Sequence, residues 1–261
     1  VLTDRFKSLI QKAKWPTFVF DIIAQKMKVK IWSDVMCPFC YIGKRRFEQA
    51  LKQFKYAEEL EIEWKSFQLN PDIKTDPKVN INEYLAEIKG WSIEDAKSMN
   101  DHVTGMAAAV GLKYNFDTAI VANSFNAHRF SHLAKEHQLG DAAEEALFKA
   151  YFTEGRNIDD IETLGLLGAQ IGLDASLVET TLATADFSDE VKKDIAEARY
   201  LGIQGVPFFV FNDKYGISGA QDVSVFLQTL EQSFGEWQEQ NPKPLLTVIE
   251  GQSCSPDGDC S

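Results

Sequence analysis

The stretch Val29–Phe47, VKIWSDVMCPFCYIGKRRF, decides the fold. Val29, Ile31 and Trp32 supply the β-branched and aromatic residues of a strand. Ser33-Asp34-Val35-Met36 reads as a loop. Cys37-Pro38-Phe39-Cys40 follows, and a helical pattern starts at once. Two cysteines spaced C-x-x-C where a strand hands over to a helix form a site for dithiol chemistry. At a helix N-terminus, unpaired N–H groups and the helix dipole favour negative charge. Cys37 at that position gains thiolate character, and the thiolate is the species that attacks disulfides. Pro38 suits the first helical turn, where its missing N–H is not needed. The spacing lets Cys40 reach back and close a disulfide with Cys37.

Two other readings compete. Half of a zinc site would need a second close pair, and the remaining cysteines, Cys254 and Cys260, stand at the far end of the chain. That spacing is poor for a small zinc module. Two inert buried thiols fit badly with the adjacent Pro38 and the helix start. A redox dithiol is the leading reading.

Outward from this stretch, Ile42, Phe47, Ala50, Leu51 and Phe54 recur at helical steps, which predicts a helix ending near Tyr56. Leu60–Leu69 alternates Leu60, Ile62 and Trp64 with charged residues, a half-buried strand broken by Asn70-Pro71-Asp72. Strand, helix and strand make a βαβ unit with a right-handed crossover. From Asn82 to about Gly202 the pattern is helical almost throughout, with no strand expected. Its segments are Asn82–Lys89, Ile93–Val110 capped by Ser92, Asp117–Gln138, Asp141–Thr153, and three more capped by Asp159 or Asp160, Asp174 and Ser188. Val206–Asn212 and Lys214–Ser218 read as a hairpin, and Asp222–Phe234 as a closing helix. The expectation is an α/β, thioredoxin-like fold with a large all-helical insertion. An N-terminal extension (1–27) leads into a first thioredoxin-like segment (28–78). The insertion (79–202), a second thioredoxin-like segment (203–234) and a tail with a Cys pair (235–261) follow.

The chain has 261 residues, 44% of them hydrophobic and 25% charged, an ordinary globular composition. A formal net charge of −12 disfavours nucleic acid and anionic membrane surfaces as partners. No apolar run approaches the roughly 20 residues of a membrane helix. No secretory signal pattern opens the chain, and four cysteines are too few for a disulfide scaffold. The expected location is cytoplasmic. Met27 directly precedes the first strand, so residues 1–26 read either as an upstream extension or as a packed helix over Thr3–Lys14. No phosphate loop, dinucleotide fingerprint or G-x-S-x-G occurs.

Other residues carry candidate chemistry. Pro207, in Gly205-Val206-Pro207, starts a strand where its lost donor is harmless. In a thioredoxin fold, this is where a cis-proline faces the dithiol and turns the Val206 backbone toward substrate. His128 and His132 share a helix face at i, i+4, a spacing that can bind metal. No Glu follows His128 and no third ligand is evident, so core or cleft-lining histidines are the better reading. Cys254 and Cys260 bracket a turn-rich segment. They are either a second redox pair exchanging electrons with Cys37 and Cys40 or two incidental thiols.

Three segments, SDVMCPFCYIGKRRFEQAL, VANSFNAHRFSHLAKE and AEARYLGIQGVPFFVFNDKYGISGAQ, together resemble the DsbA family of thiol–disulfide oxidoreductases. Within it they are similar to the FrnE-type branch, close to 2-hydroxychromene-2-carboxylate isomerases and kappa-class glutathione transferases. The likeness runs from about Lys28 to Phe234. It implies Cys37 as nucleophile, Cys40 as resolving cysteine and Pro207 as cis-proline. Pro38, Phe39, Val206 and His128 are expected around the substrate on their positions in the chain. The isomerases and transferases carry serine at the position of Cys37 and recruit glutathione, so the retained cysteine favours thiol–disulfide exchange. The tail pair Cys254 and Cys260 resembles a further motif of some FrnE-type proteins. The partners implied are disulfide or dithiol proteins or small molecules, with no bound cofactor, glutathione as a co-substrate, and a monomer or homodimer. The alternatives are a glutathione-dependent isomerase or transferase with a cleft formed by Phe116, Phe125 and Phe130, and a chaperone-like binder.

Overall fold

The structure, a computed structural model, describes residues 25–242. The N-terminal helix expected over Thr3–Lys14 and the Cys254/Cys260 tail lie outside the described residues. Four strands form the main sheet, in the order β2-β1-β5-β6. β1 (Met27–Ser33) pairs in parallel with β2 (Leu60–Ser66), from Met27 opposite Leu60 to Ser33 opposite Ser66. β5 (Phe208–Phe211) runs antiparallel to β1, and β6 (Tyr215–Ser218) antiparallel to β5. The hairpin turns on Asn212 and Asp213, both left-handed at φ 51° and 52°, a pairing that matches strand twist. The Lys214 N–H closes it on the Phe211 carbonyl at 3.0 Å.

One face of this sheet is apolar because alternate residues point the same way. Val29, Ile31, Phe209 and Phe211 there bury against Phe47 and Ala50 of α1 (Pro38–Leu51) and Phe226, Leu230, Phe234 and Trp237 of α9 (Val223–Gln240). Two helix ends depart from the sequence reading. α1 stops at Leu51 rather than near Tyr56, and a short 3-10 turn, Ala57–Glu59, leads into β2. α9 extends past Phe234 to Gln240, since burial of Phe234 and Trp237 outweighs the helix cost of Gly235.

Between β2 and β5 lies the helical block: α2 (Ile81–Lys89), α3 (Ile93–Ala109), α4 (Phe125–Glu136), α5 (Gly140–Phe152), α6 (Ile161–Ile171), α7 (Ala175–Ala183) and α8 (Ser188–Tyr200). Its caps follow the sequence closely. Asn80 with Glu83 and Ser92 with Asp95 form capping boxes, and Asp160 and Asp174 cap α6 and α7. Ser188 is not a cap but the first helical residue, preceded by Phe187 at φ 62°. The block is also not all-helical. β3 (Asp76–Asn80) pairs antiparallel with β4 (Ile120–Val121). α4 therefore begins at Phe125, eight residues later than the expected Asp117. Asn123 Oδ1 accepts the Phe125 N–H at 2.8 Å, which turns the chain into the helix.

Two contacts fix the block and α1 to the sheet. Asp194 of α8 accepts from the Ser66 N–H at 3.0 Å and from Lys65 at 3.0 Å, and meets His132 Nε2 at 3.1 Å. The Asp194 carbonyl accepts from Trp32 Nε1 at 3.0 Å. Gly43 of α1 faces the start of β5 so closely that an added Cβ would stand 3.0 Å from Pro207 Cγ and 3.5 Å from both Ala220 Cβ and Phe209 Cζ.

Both contacts are testable by denaturant unfolding. Gly43→Ala is expected to lose about 1–3 kcal/mol by overpacking, with an unchanged helical spectrum. Burial would raise the Asp194 carboxyl, but His132, the Ser66 N–H and Lys65 hold it below its usual range. A depressed carboxyl stabilises the fold above the unfolded value of about 3.9 and ceases to do so as pH falls through the folded value. Asp194→Asn should therefore cost about 3 kcal/mol at neutral pH, because it leaves buried partners uncompensated. The difference from wild type should shrink below about pH 4.

Candidate active site

The Asp34 loop sets the start of α1. The Asp34 carbonyl accepts the Cys37 N–H at 2.9 Å. Its carboxylate accepts from Met36 N–H at 3.3 Å and Leu69 N–H at 2.7 Å. Cys37 takes the N-cap position with extended backbone (φ −89°, ψ 112°), and Pro38 opens the helix. The Cys37 side chain makes no capping hydrogen bond and sits at the N-terminal end of the helix. Both cysteines are free thiols, Cys37 4% and Cys40 1% exposed. Burial, followed by the neighbouring Cys37, pushes the Cys40 thiol well above its ordinary range, while the Asp34 backbone and the Ser33 hydroxyl act weakly the other way. The two sulfurs are therefore unequal: one faces a helix N-terminus, the other sits in a dry interior.

The Val206–Pro207 bond is cis. Cys37 Sγ donates to the Val206 carbonyl at 3.4 Å, and the Pro207 carbonyl accepts from the Gly219 N–H at 2.8 Å. β5 starts at Phe208, so Pro207 precedes the strand instead of lying inside it. Phe39 is 38% exposed beside the dithiol, an apolar surface next to the sulfurs. Tyr114 Oη donates to the Pro38 carbonyl at 2.7 Å. Tyr114 stacks on Phe152 and Tyr41 stacks on Phe148, so the first turn of α1 rests on an aromatic wall of the helical block. No local signal in the sequence singles out Tyr114 or Tyr41, because their partners lie tens of residues away in the chain.

The two histidines sit apart from the surface around Cys37. His128, 2% exposed, lies with its Nε2 3.6 Å from Asp34 Oδ1, an ion-pair contact longer than a hydrogen bond. Burial opposes its charged form, but Asp34 and Glu144 outweigh that and raise it. It thus reaches the dithiol from behind, through Asp34. His132 joins Ser66 and Asp194. Among the described residues, no group of three His, Cys, Asp or Glu side chains is placed to hold a metal. The three phenylalanines expected to form one cleft do not. Phe130 is fully buried, Phe116 packs on Tyr114 and Phe152, and Phe125 lines a separate cavity with Gln68, Asn123 and Asp159. A further cavity of about 430 Å³ beside β2 is lined by Trp64, Ser66, His132, Asp141 and Glu144 and by neither cysteine. No helix among the described residues is long and apolar enough to cross a membrane.

The geometry has relatives. A probable DsbA oxidoreductase from Streptomyces coelicolor is 39% identical, with a TM-score of 0.75, covering 90% of this chain and 98% of its own. An uncharacterized protein of Bacillus subtilis, YwbO, is 29% identical over 201 residues, 76% of this chain and 92% of that protein. The cytosolic disulfide reductase DsbM from Pseudomonas aeruginosa shares the fold at 17% identity and a TM-score of 0.55, over 82% of this chain and 98% of its own. The model of the DSBA-like thioredoxin domain matches residues 28–231. The chain belongs to the DSBA-like thioredoxin domain family.

Proposed function

We propose that this chain is a thiol–disulfide oxidoreductase with Cys37 as nucleophile and Cys40 as resolving cysteine. The observation that carries the reading is the position of Cys37, at the N-cap of α1 with its sulfur against the Val206 carbonyl. In the reducing direction, the Cys37 thiolate attacks one sulfur of a substrate disulfide. The substrate bond breaks, one substrate thiolate leaves, and a mixed disulfide with Cys37 forms. Cys40 then loses its proton and attacks Cys37. The second substrate thiol leaves, and the protein holds a Cys37–Cys40 disulfide. The electrons given to the substrate are those lost by the dithiol, and the reverse sequence oxidises a dithiol substrate. Val206, Pro207, Pro38 and Phe39 form the surface against which the substrate chain lies. Glutathione is the proposed thiol co-substrate, and the cytoplasm the proposed compartment. Both are supported by the likeness to DsbM, described as cytosolic and solved also with glutathione.

Reduction of a protein disulfide by the reduced chain tests the assignment. Cys37→Ser should lower turnover on the order of a thousandfold or more. Cys40→Ser should still attack but accumulate a covalent mixed disulfide, visible as added mass that a thiol reductant removes. Equal turnover in wild type and Cys37→Ser would reject the reading. Activity that survives Cys37→Ser but requires glutathione would point to transferase or isomerase chemistry instead.

A further inference from the structure

Resolution needs the Cys40 proton to leave an interior where burial holds the thiol in its neutral form. Behind Cys40 runs a line of buried polar groups drawn from separate elements. Ser33 ends β1 and Asp34 follows it, and the Ser33 hydroxyl and Asp34 backbone lie against the Cys40 sulfur. Asp34 Oδ1 stands 3.6 Å from His128 Nε2 on α4. His128 also faces Glu144 of α5 and the Phe67 backbone beyond β2. Glu144, 3% exposed, accepts from Ser131 Oγ at 2.6 Å and faces His128, Asp141 and Lys44. It also lines the cavity of about 430 Å³ beside β2.

Buried polar atoms are normally paired. Among the described residues, the side-chain atoms that are buried without a hydrogen-bond partner are Ser33 Oγ, His128 Nε2, Glu144 Oε2 and Glu145 Oε2. Three of those four belong to this one line. Asp34 and Glu144 favour the imidazolium of His128, and burial favours the neutral acid of Glu144.

Resting on the oxidoreductase reading above, we propose that His128 and Glu144 relay the Cys40 proton from Asp34 to the cavity beside β2. When Cys40 attacks Cys37, its proton passes to the Asp34 carboxylate. The new sulfur–sulfur bond forms with the electron pair left on Cys40, and the substrate thiolate departs. Glu144 gives a proton to water in the cavity, and the proton on Asp34 moves through His128 to replace it. One proton leaves Cys40 and one enters solvent, so the line carries the same charge before and after. Both residues act through Asp34 and touch neither sulfur.

Stopped-flow reduction of a symmetric aryl disulfide with a coloured thiolate separates the two steps. The first equivalent released reports attack by Cys37, the second resolution by Cys40. In Glu144→Gln, the second phase should slow at least about tenfold near neutral pH. That is less than the roughly hundredfold or more expected of a group touching the reacting atom. It should approach wild type at alkaline pH, where hydroxide takes the proton directly, while the first phase stays within about twofold. Equal slowing of both phases, or a second phase unchanged at every pH, overturns the relay. Wild-type protein supplies a test that needs no variant. In mixtures of light and heavy water, the second phase should show a curved proton inventory, the mark of several protons in motion. A straight line overturns the relay. A wild-type chain that releases neither equivalent overturns the oxidoreductase reading and the relay with it, whereas failure confined to the second phase leaves that reading standing.

Discussion

The site depends on Asp34 being held where the sheet ends and α1 begins. Its carbonyl and both carboxylate oxygens accept backbone N–H groups from Cys37, Met36 and Leu69. Those bonds fix the direction in which the chain leaves β1, and hence where the first turn of α1 points. A carboxylate 2% exposed would be costly without such donors and a nearby cation. His128, which Asp34 pulls toward its charged form, stands 3.6 Å away and comes from the helical block. The turn that presents Cys37 is therefore completed by a residue about ninety positions later in the chain.

This requirement explains why α1 straddles two cores. Its later residues, Phe47 and Ala50, pack on the sheet with α9. Its first turns, with Cys37, Cys40, Tyr41 and Ile42, belong to the core of the helical block. Neither core alone places the dithiol. The sheet brings Val206 and Pro207 to one side of it through β5, while Tyr114, Phe148 and Phe152 wall the other. The Asp194 contacts then keep block and sheet in one arrangement, so that both sides of the site stay in register.

What can be read from the sequence follows from range. β1, β2, the hairpin and the capped helices carry their own periodicity or cap residues, and those local signals place them to within a few residues. β4 escapes such a reading because two residues, Ile120 and Val121, show no period; only pairing with β3 defines them. The length of α9 is underread because Gly235 looks like a stop until Trp237 is seen buried. The C-x-x-C and Pro207 are legible as motifs. His128 stands out by its helical spacing, but its partner Asp34 reads as a plain loop residue. Nothing local marks a carboxylate whose ligands are a distant imidazole and a backbone amide on another segment.

The chain uses buried charge in two ways, and the contrast assigns them different roles. Around Asp194, Lys65, the Ser66 N–H and His132 meet the carboxylate at about hydrogen-bond length, and the Trp32 indole takes the neighbouring carbonyl. Such a satisfied network has a single low-energy arrangement and rigidifies what it joins. Around Asp34 the pattern is different: the imidazole stands at 3.6 Å, and Ser33, His128 and Glu144 each hold an atom without a partner. In a low dielectric such incompleteness costs stability. A fold that completes its structural cluster, yet leaves incomplete the one behind its buried thiol, has kept room there for protons to change places. That room lies behind the buried Cys40, where the proposed dithiol exchange would use it.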